Sequence, residues 1–276
     1  MPGDANGNSQ PAWRPAPLLV ASGLLHLALL GTVCLRPVLW PWGLGLLLLN
    51  HLLISLCGLL PRCRWLGPTL VRLPEAARQR GEVALTFDDG PDPEVTPQVL
   101  ALLAAHGVHA TFFCIGQRAA AHPELCQALV DAGHEVGNHG HRHPWHASFM
   151  GPGGWRDEIS QGQATLHRLT AQTPRFYRAV AGLRNPFLAP VLHRLGLQLA
   201  AWTRRAYDTR CGDPDVVLRR LTHRLAAGDI LLLHDGHGAR TPQGEPVVLA
   251  VLPRLLARLA SQGLRPVTLS QACTPP

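Results

Sequence analysis

The chain contains no lysine, so all 25 of its basic side chains are arginine. Aromatic residues make up only 5% of it, too few for the stacking platform of a single-stranded nucleic-acid binder. The formal charge of +7 comes from scattered arginines without a long basic run. It reads as solvated surface and membrane flanks, not as a nucleic-acid footprint. The seven cysteines, Cys34, Cys57, Cys63, Cys114, Cys126, Cys211 and Cys273, contain no CxxC. An odd, unpatterned set gives no disulfide framework. The set is compatible with a reducing compartment. No GxGxxG or P-loop follows any strand-like run, which argues against nucleotide binding.

What the chain does have begins near its N-terminus. Residues 1–16 are polar and rich in Gly, Asn and Pro, and are expected to be disordered. Residues 17–35 and 38–60 carry no charge, and each is long enough to cross a bilayer as a helix. Only Arg36-Pro37 separates them, so a tight transmembrane hairpin is expected. A signal peptide fits less well, because the start is not basic and a second apolar run follows directly. His26, Asn50 and His51 interrupt the apolar runs, and folding the hairpin brings His26 near the depth of Asn50. Hydrogen bonding between the two helices is the preferred reading.

Arg14 precedes the hairpin, and Arg62, Arg64 and Arg72 follow it, while the connecting turn has only Arg36. The positive-inside rule then leaves both ends in the cytoplasm. The expected location is a multi-pass inner-membrane protein with a cytoplasmic catalytic domain. Residues 61–80 are rich in Arg and Pro and read as a juxtamembrane linker.

From residue 81 to 276 short apolar runs alternate with amphipathic ones. Strands are expected at 82–87, 109–114, 134–137, 175–178, 197–202, 229–234 and 265–269. Helices are expected near 97–106, 123–132, 154–170, 187–195, 214–227 and 246–262. Thr96-Pro97 and Asp213-Pro214 read as N-cap and first-turn pairs. Gly107, Gly133, Gly196, Gly228 and Gly263 sit where helix C-caps belong. Repeated strand–helix units imply a parallel α/β sheet, either an irregular barrel or an open doubly wound sheet.

The chemistry gathers at one end of those strands. Thr86-Phe87-Asp88-Asp89-Gly90-Pro91-Asp92 follows an apolar strand, and paired carboxylates there call for a cation or a shared proton. Some fifty residues on, Asn138-His139-Gly140-His141-Arg142-His143-Pro144 places two histidines four apart. Asp89, His139 and His143 together suit one metal ion with open positions, with Asp88 spare beside them. Such a set suits metal-assisted hydrolysis. Arg178 ends the fourth strand, Asp208 follows the fifth, and His234-Asp235 ends the sixth. In a parallel barrel all of these meet at the C-terminal rim.

These motifs resemble, in order, those of the polysaccharide deacetylases, carbohydrate esterase family 4, which includes the chitooligosaccharide deacetylases. The resemblance rests on Thr86 to Pro91, Asn138 to Pro144, Phe176-Tyr177-Arg178 and Leu232-Leu233-His234-Asp235. Ala110 to Phe113 and Gly133 to Gly137 match its structural strands. It covers residues 81–270 and implies a distorted (β/α)7 barrel that removes an N-acyl group, usually acetyl, from an amino sugar. It further implies a divalent metal, usually zinc, held by Asp89, His139 and His143. Asp88 would be the general base, Arg178 its partner, His234 the general acid and Asp208 the group orienting that acid. The N–H of Ala181 would join the oxyanion site.

Three departures stand out. Gly140 replaces the usual Ser or Thr, Arg178-Ala179-Val180-Ala181 lacks the usual proline and aromatic residue, and Tyr207-Asp208-Thr209 lacks a following tryptophan. They leave open a substrate other than chitin or peptidoglycan. His141 and His146 are alternative ligands whose spacing fits less well.

The expected partners are therefore an N-acylated carbohydrate or glycolipid and a membrane, with no nucleic acid. Arg184, Arg204 and Arg205 are candidates for contact with a lipid phosphate. A lipid-linked sugar deformylase would use the same residues, and a catalytically degenerate carbohydrate-binding protein is the non-enzyme alternative.

Overall fold

A computed structural model describes residues 13–274. The expectation of disorder before residue 13 lies outside the described residues, and 13–16 have no regular secondary structure. Helices α1 (Pro17–Leu35) and α2 (Trp40–Leu59) follow, joined at Arg36-Pro37 by a short 3-10 turn. Their apolar side chains are largely exposed, as at Leu27 (68%) and Trp42 (78%). A core helix of a water-soluble domain would bury such residues.

The polar residues of the hairpin face one another. Asn50 Nδ2 donates to Ser22 Oγ at 2.8 Å, and the His26 and His51 Nε2 atoms stand 3.4 Å apart. This agrees with a helix-pairing role for them. The end of α2 docks on the remainder of the chain. Gly58 lies so close to Arg184 that a Cβ there would stand 2.3 Å from the Arg184 carbonyl oxygen.

The next elements are α3 (Glu75–Gln79), β1 (Glu82–Asp88), α4 (Thr96–Ala105), β2 (Thr111–Cys114), α5 (Gly116–Ala121), α6 (Pro123–Asp131), β3 (Glu135–Asn138) and α7 (Pro152–Thr170). After them come β4 (Phe176–Tyr177), α8 (Leu188–Arg194), β5 (Gln198–Leu199), β6 (Arg204–Arg205), α9 (Pro214–Thr222), β7 (Ile230–His234), α10 (Val247–Ser261), β8 (Arg265–Val267) and α11 (Leu269–Cys273). The strands pair in parallel in the order β5-β4-β3-β2-β1-β7-β6, with β8 on the start of β1. The sheet curls into a half-barrel, open between β5 and β6.

Alternation along the central strands decides which residues enter the barrel. Val83, Leu85 and Phe87 of β1 join Phe112, Leu231 and Leu233 in a core shared with α10. Ala84 joins Phe113, Ile230, Leu232 and Trp202 in a second, interior core. Asp88 and His234 share the parity of the interior set, so the period of two carries both into the barrel's C-terminal end. Each buried Leu or Phe contributes roughly 1.5–3 kcal/mol, enough to hold strands that also carry ionisable ends.

Three details depart from the sequence reading. Residues 61–80 are not a free linker. Leu66, Leu70, Leu73 and Ala77 are buried, and Leu70 bridges to Ala200 beside β5, covering that side of the opening. Thr96 does not cap its helix; it begins α4, and its hydroxyl donates to Asp235 Oδ2 at 2.6 Å. Asp92 holds the turn before α4 instead, accepting from the Glu94 and Val95 N–H groups. The expected fifth strand stops at Leu199, and β6 was not anticipated. The Asp213 cap is present, and the five expected C-cap glycines all have positive φ.

Candidate active site

The loop after β1 and the loop after β3 meet at the mouth of the half-barrel. Nε2 of His139 and Nε2 of His143 each stand 3.2 Å from Asp89 Oδ1. The three ligand atoms lie within 4.8 Å of one another. Asp89 (φ 70°) and His143 (φ 57°) both occupy the left-handed backbone region. Non-glycine residues seldom adopt it, and such strain collects at functional sites.

The orientation of His139 bears on what this cluster can hold. Its Nδ1 lies 2.8 Å from the Arg178 carbonyl oxygen and donates to it. In the neutral ring Nε2 then presents a lone pair to Asp89 Oδ1, an oxygen that is buried and accepts no hydrogen bond among the described residues. Lone pairs aimed at one another require a positive charge between them. In the metal-free site a proton on His139 plays that part: burial opposes it, but the Asp88 and Asp89 carboxylates raise the His139 pKa, and burial together with that charge pushes His143 down to about 4. Burial opposes the charge on Asp89, yet the surrounding imidazoles of His139, His237 and His143 hold it well below the usual carboxylate range. One anionic oxygen and two imidazole nitrogens therefore fit a divalent cation, open on the side of the cavity.

Asp88 stands next to this set and outside it. Its Oδ1 accepts from Arg178 Nη1 at 2.7 Å, and its Oδ2 lies 3.9 Å from His139 Nε2. Arg178 is fully buried. It donates to Thr86 Oγ1 and to the Ala201 carbonyl, and its guanidinium carbon lies 4.0 Å from the Phe113 ring centroid. A buried guanidinium needs all these partners to offset its desolvation. Across the cavity, Asp208 Oδ1 pairs with His234 Nδ1 at 2.8 Å. Burial lowers the His234 pKa, but the Asp208 charge and hydrogen bond outweigh it and push the imidazole up to about 9.

Asp88, Asp89, His139, His143 and His234 thus line one cavity of about 330 Å³. Arg178 and Asp208 stand behind it, each gripping one of the lining residues. Ala181, at left-handed φ 52°, and Trp202 form part of the wall. The aromatic surface missing from the loop after Arg178 is supplied in this way by Trp202. His141 and His146 do not join the metal-holding set. Arg184 is buried and donates to Thr69 Oγ1, and Arg204 is tied to Asp229. Of the three, only Arg205 lines the active-site cavity.

The sequence reading passed over three residues. His237 Nδ1 stands 3.4 Å from Asp89 Oδ2. Arg118 donates to the Asp89 carbonyl oxygen and touches His237 Nε2. Glu158 of α7 accepts the N–H groups of His141, Arg142 and His143 at 2.7, 2.6 and 2.9 Å through one oxygen. His237 was within reach of sequence reasoning, since it lies three residues beyond His234 on the same rim. Glu158 sits in mid-helix with no motif around it.

The sequence profile of the polysaccharide deacetylase family matches residues 75–200. A peptidoglycan-N-acetylglucosamine deacetylase of Bacillus cereus is 34% identical over 68% of this chain and 86% of its own. A chitooligosaccharide deacetylase of a Bradyrhizobium species is 37% identical over 59% of this chain and 73% of its own. Among solved structures, a family 4 carbohydrate esterase of Streptomyces lividans superimposes with a TM-score of 0.61 at 35% identity, covering 67% of this chain and 91% of that one. The chain belongs to the polysaccharide deacetylase family and is a hydrolase of the amide bonds of N-acylated sugars.

Proposed function

We propose that this protein is a metal-dependent N-deacetylase of an amino sugar, of the N-acetylglucosamine type named for its relatives. We further infer that α1 and α2 tether it to the membrane, with the catalytic domain (81–276) on the cytoplasmic side. The observation that carries the enzymatic reading is the division of labour around one cavity. Asp88, held by Arg178, lies beside the Asp89–His139–His143 set, and His234, held by Asp208, lines the same cavity.

A divalent cation at Asp89, His139 and His143, with zinc the best match to these donors, would polarise the acyl oxygen and lower the pKa of water from about 15.7 toward 7. The remaining work falls to the chain itself. Asp88 takes a proton from the attacking water, and Arg178 keeps its second carboxylate oxygen aimed at the cavity. The Ala181 N–H donates to the acyl oxygen as negative charge develops there. His234 carries a proton at neutral pH and passes it to the departing nitrogen. Without that transfer the amine is a poor leaving group. Trp202 and Leu232 give the cavity an apolar stretch of wall.

The exposed apolar surface of α1 and α2 and the arginines flanking them support the tether and its orientation. The direct test uses purified full-length protein, N-acetyl and N-formyl glucosaminides, and measured acetate or formate release alongside metal content. Acetate release that stops with chelation and returns with zinc is the expected result. Zinc-independent release, or no release from any N-acyl sugar, overturns the proposal.

A further inference from the structure

A groove of about 1200 Å³ joins the base of the hairpin to the active-site cavity. The two share Ala181, Trp202, Arg205, Thr209 and Arg210, so they are continuous. At its other end the groove is walled by Leu59, Leu60 and Pro61, where α2 stops. Between these ends stand Arg62, Arg205, Arg210, Arg219, Arg220 and His223, and no Asp or Glu lines the groove.

Arg204 also lines it but is paired with Asp229. The other five arginines make no salt bridge among the described residues. The side-chain contacts of Arg62, Arg205 and Arg220 involve no carboxylate. Arg62 donates to the Thr203 carbonyl, and Arg220 to that of Ala206. The Arg205 guanidinium lies over the rings of Trp202 and Tyr207, at 5.2 and 4.8 Å from their centroids. Its Nε is buried with no hydrogen-bond partner.

Five arginines without a salt bridge line this groove, and no carboxylate does, so the groove is electropositive and attracts an anion. Guanidinium forks match phosphate oxygens in pairs. The groove's apolar end abuts the hairpin and its other end opens on the hydrolytic cavity. A ligand filling it therefore has an apolar chain, a strong anion and a sugar, in that order.

We propose that this groove binds the phosphate or diphosphate bridge of a lipid-linked amino-sugar glycan. Its lipid lies against the hairpin and its N-acyl sugar sits in the cavity. The proposal deepens the deacetylase reading and rests on it for the fate of the sugar, but not for binding.

The experiment uses the full-length protein in phosphatidylcholine vesicles with three ligands. They are polyprenyl-diphosphate N-acetylglucosamine, an uncharged alkyl N-acetylglucosaminide, and lipid-free N-acetylglucosamine 1-phosphate. Binding is measured with the Asp88→Asn variant, and kcat/KM with the active enzyme. The diphosphate lipid is expected to bind and react best, with an affinity that weakens as salt rises. The double substitution Arg219→Ala with Arg220→Ala should lower the kcat/KM ratio of diphosphate lipid to neutral glycoside roughly 10- to 100-fold. An unchanged ratio, or equal use of the charged and neutral glycolipids, overturns the groove proposal and leaves the deacetylase reading intact. Equal affinity for the lipid-free phosphate overturns the lipid assignment. Arginine-dependent binding with no hydrolysis of any N-acyl sugar supports the groove and sinks the deacetylase reading instead.

Discussion

Asp208 grips His234 with both carboxylate oxygens: Oδ1 pairs with Nδ1 and Oδ2 accepts the backbone N–H, each at 2.8 Å. Ring and backbone are thereby fixed together, and Nε2 is the ring nitrogen left for the cavity. The relation also sets a charge. Burial lowers the imidazole's pKa, and the Asp208 carboxylate more than reverses this, to about 9.

The sign of the pH effect follows. A histidine whose folded pKa lies above its ordinary 6.5 contributes stability that is fully present below 6.5 and lost as pH rises through about 9. Its service as an acid is lost over the same rise. Hydrolysis should therefore decline on the alkaline side near pH 9. Asp208→Asn should move that decline toward neutrality, because burial then acts with less opposition. A pH profile of kcat with the same alkaline limb in both proteins would remove His234 from the acid role.

The two adjacent aspartates should separate cleanly. Asp89→Ala or His139→Ala is expected to lower zinc content and turnover together. Asp88→Asn should keep the metal and lose on the order of 100- to 10,000-fold in turnover, as loss of a general base does. Metal content by atomic absorption and hydrolysis on the same samples decide this. Full zinc occupancy in His139→Ala, or a loss of only a few-fold in Asp88→Asn, contradicts the assignment.

Much of this arrangement was legible because it depends on period and order. The alternation that buries Ala84 and Leu232 also carries Asp88 and His234 inward, and four motifs in sequence named the rim. What escaped depends on partners distant in the chain. The fifth strand ends early because the carbonyls of Ala200 and Ala201 face the Arg178 guanidinium instead of a neighbouring strand. β6 is two arginines with no apolar alternation, and its strand pairing is with β7. Residues 61–80 looked like a linker because of their Arg and Pro content. Their apolar residues Leu66, Leu70, Leu73 and Ala77 recur every three or four positions, and that was the overlooked signal.

Glu158 explains why glycine at position 140 is sustainable here. Gly140 has φ 84°, and a Cβ on it would lie 2.7 Å from Glu158 Oε1, the oxygen that receives three loop N–H groups. The carboxylate does the loop-holding that a hydroxyl at 140 would otherwise provide. Glu158→Gln should weaken zinc affinity roughly 10- to 100-fold, as loss of a partner behind metal ligands does. Gly140→Ser should destabilise the wild-type protein by about 1–3 kcal/mol. It should cost less when Glu158 is already Ala, since the clash is gone. Additive losses in zinc affinity and thermal stability across that double-mutant cycle would show that the two residues do not compete for the same space.

The hairpin can be tested apart from the chemistry. Gly58 and Leu66 pack at the junction with Arg184, so the catalytic domain meets the end of α2 directly. Removing residues 1–56 keeps that junction while deleting most of both apolar helices. The truncated protein should fold, bind zinc and hydrolyse a soluble N-acetyl glucosaminide with a kcat/KM within a few-fold of the full chain. Its turnover of a vesicle-embedded glycolipid should fall, because it is no longer concentrated at the surface where that substrate resides. Orientation has its own readout. With the other six cysteines replaced, the partly exposed Cys273 should react with an impermeant maleimide only from the cytoplasmic face of sealed membranes. Labelling from the periplasmic face would reverse the topology, and equal glycolipid turnover by the truncated and full-length proteins would remove the reason for a tether.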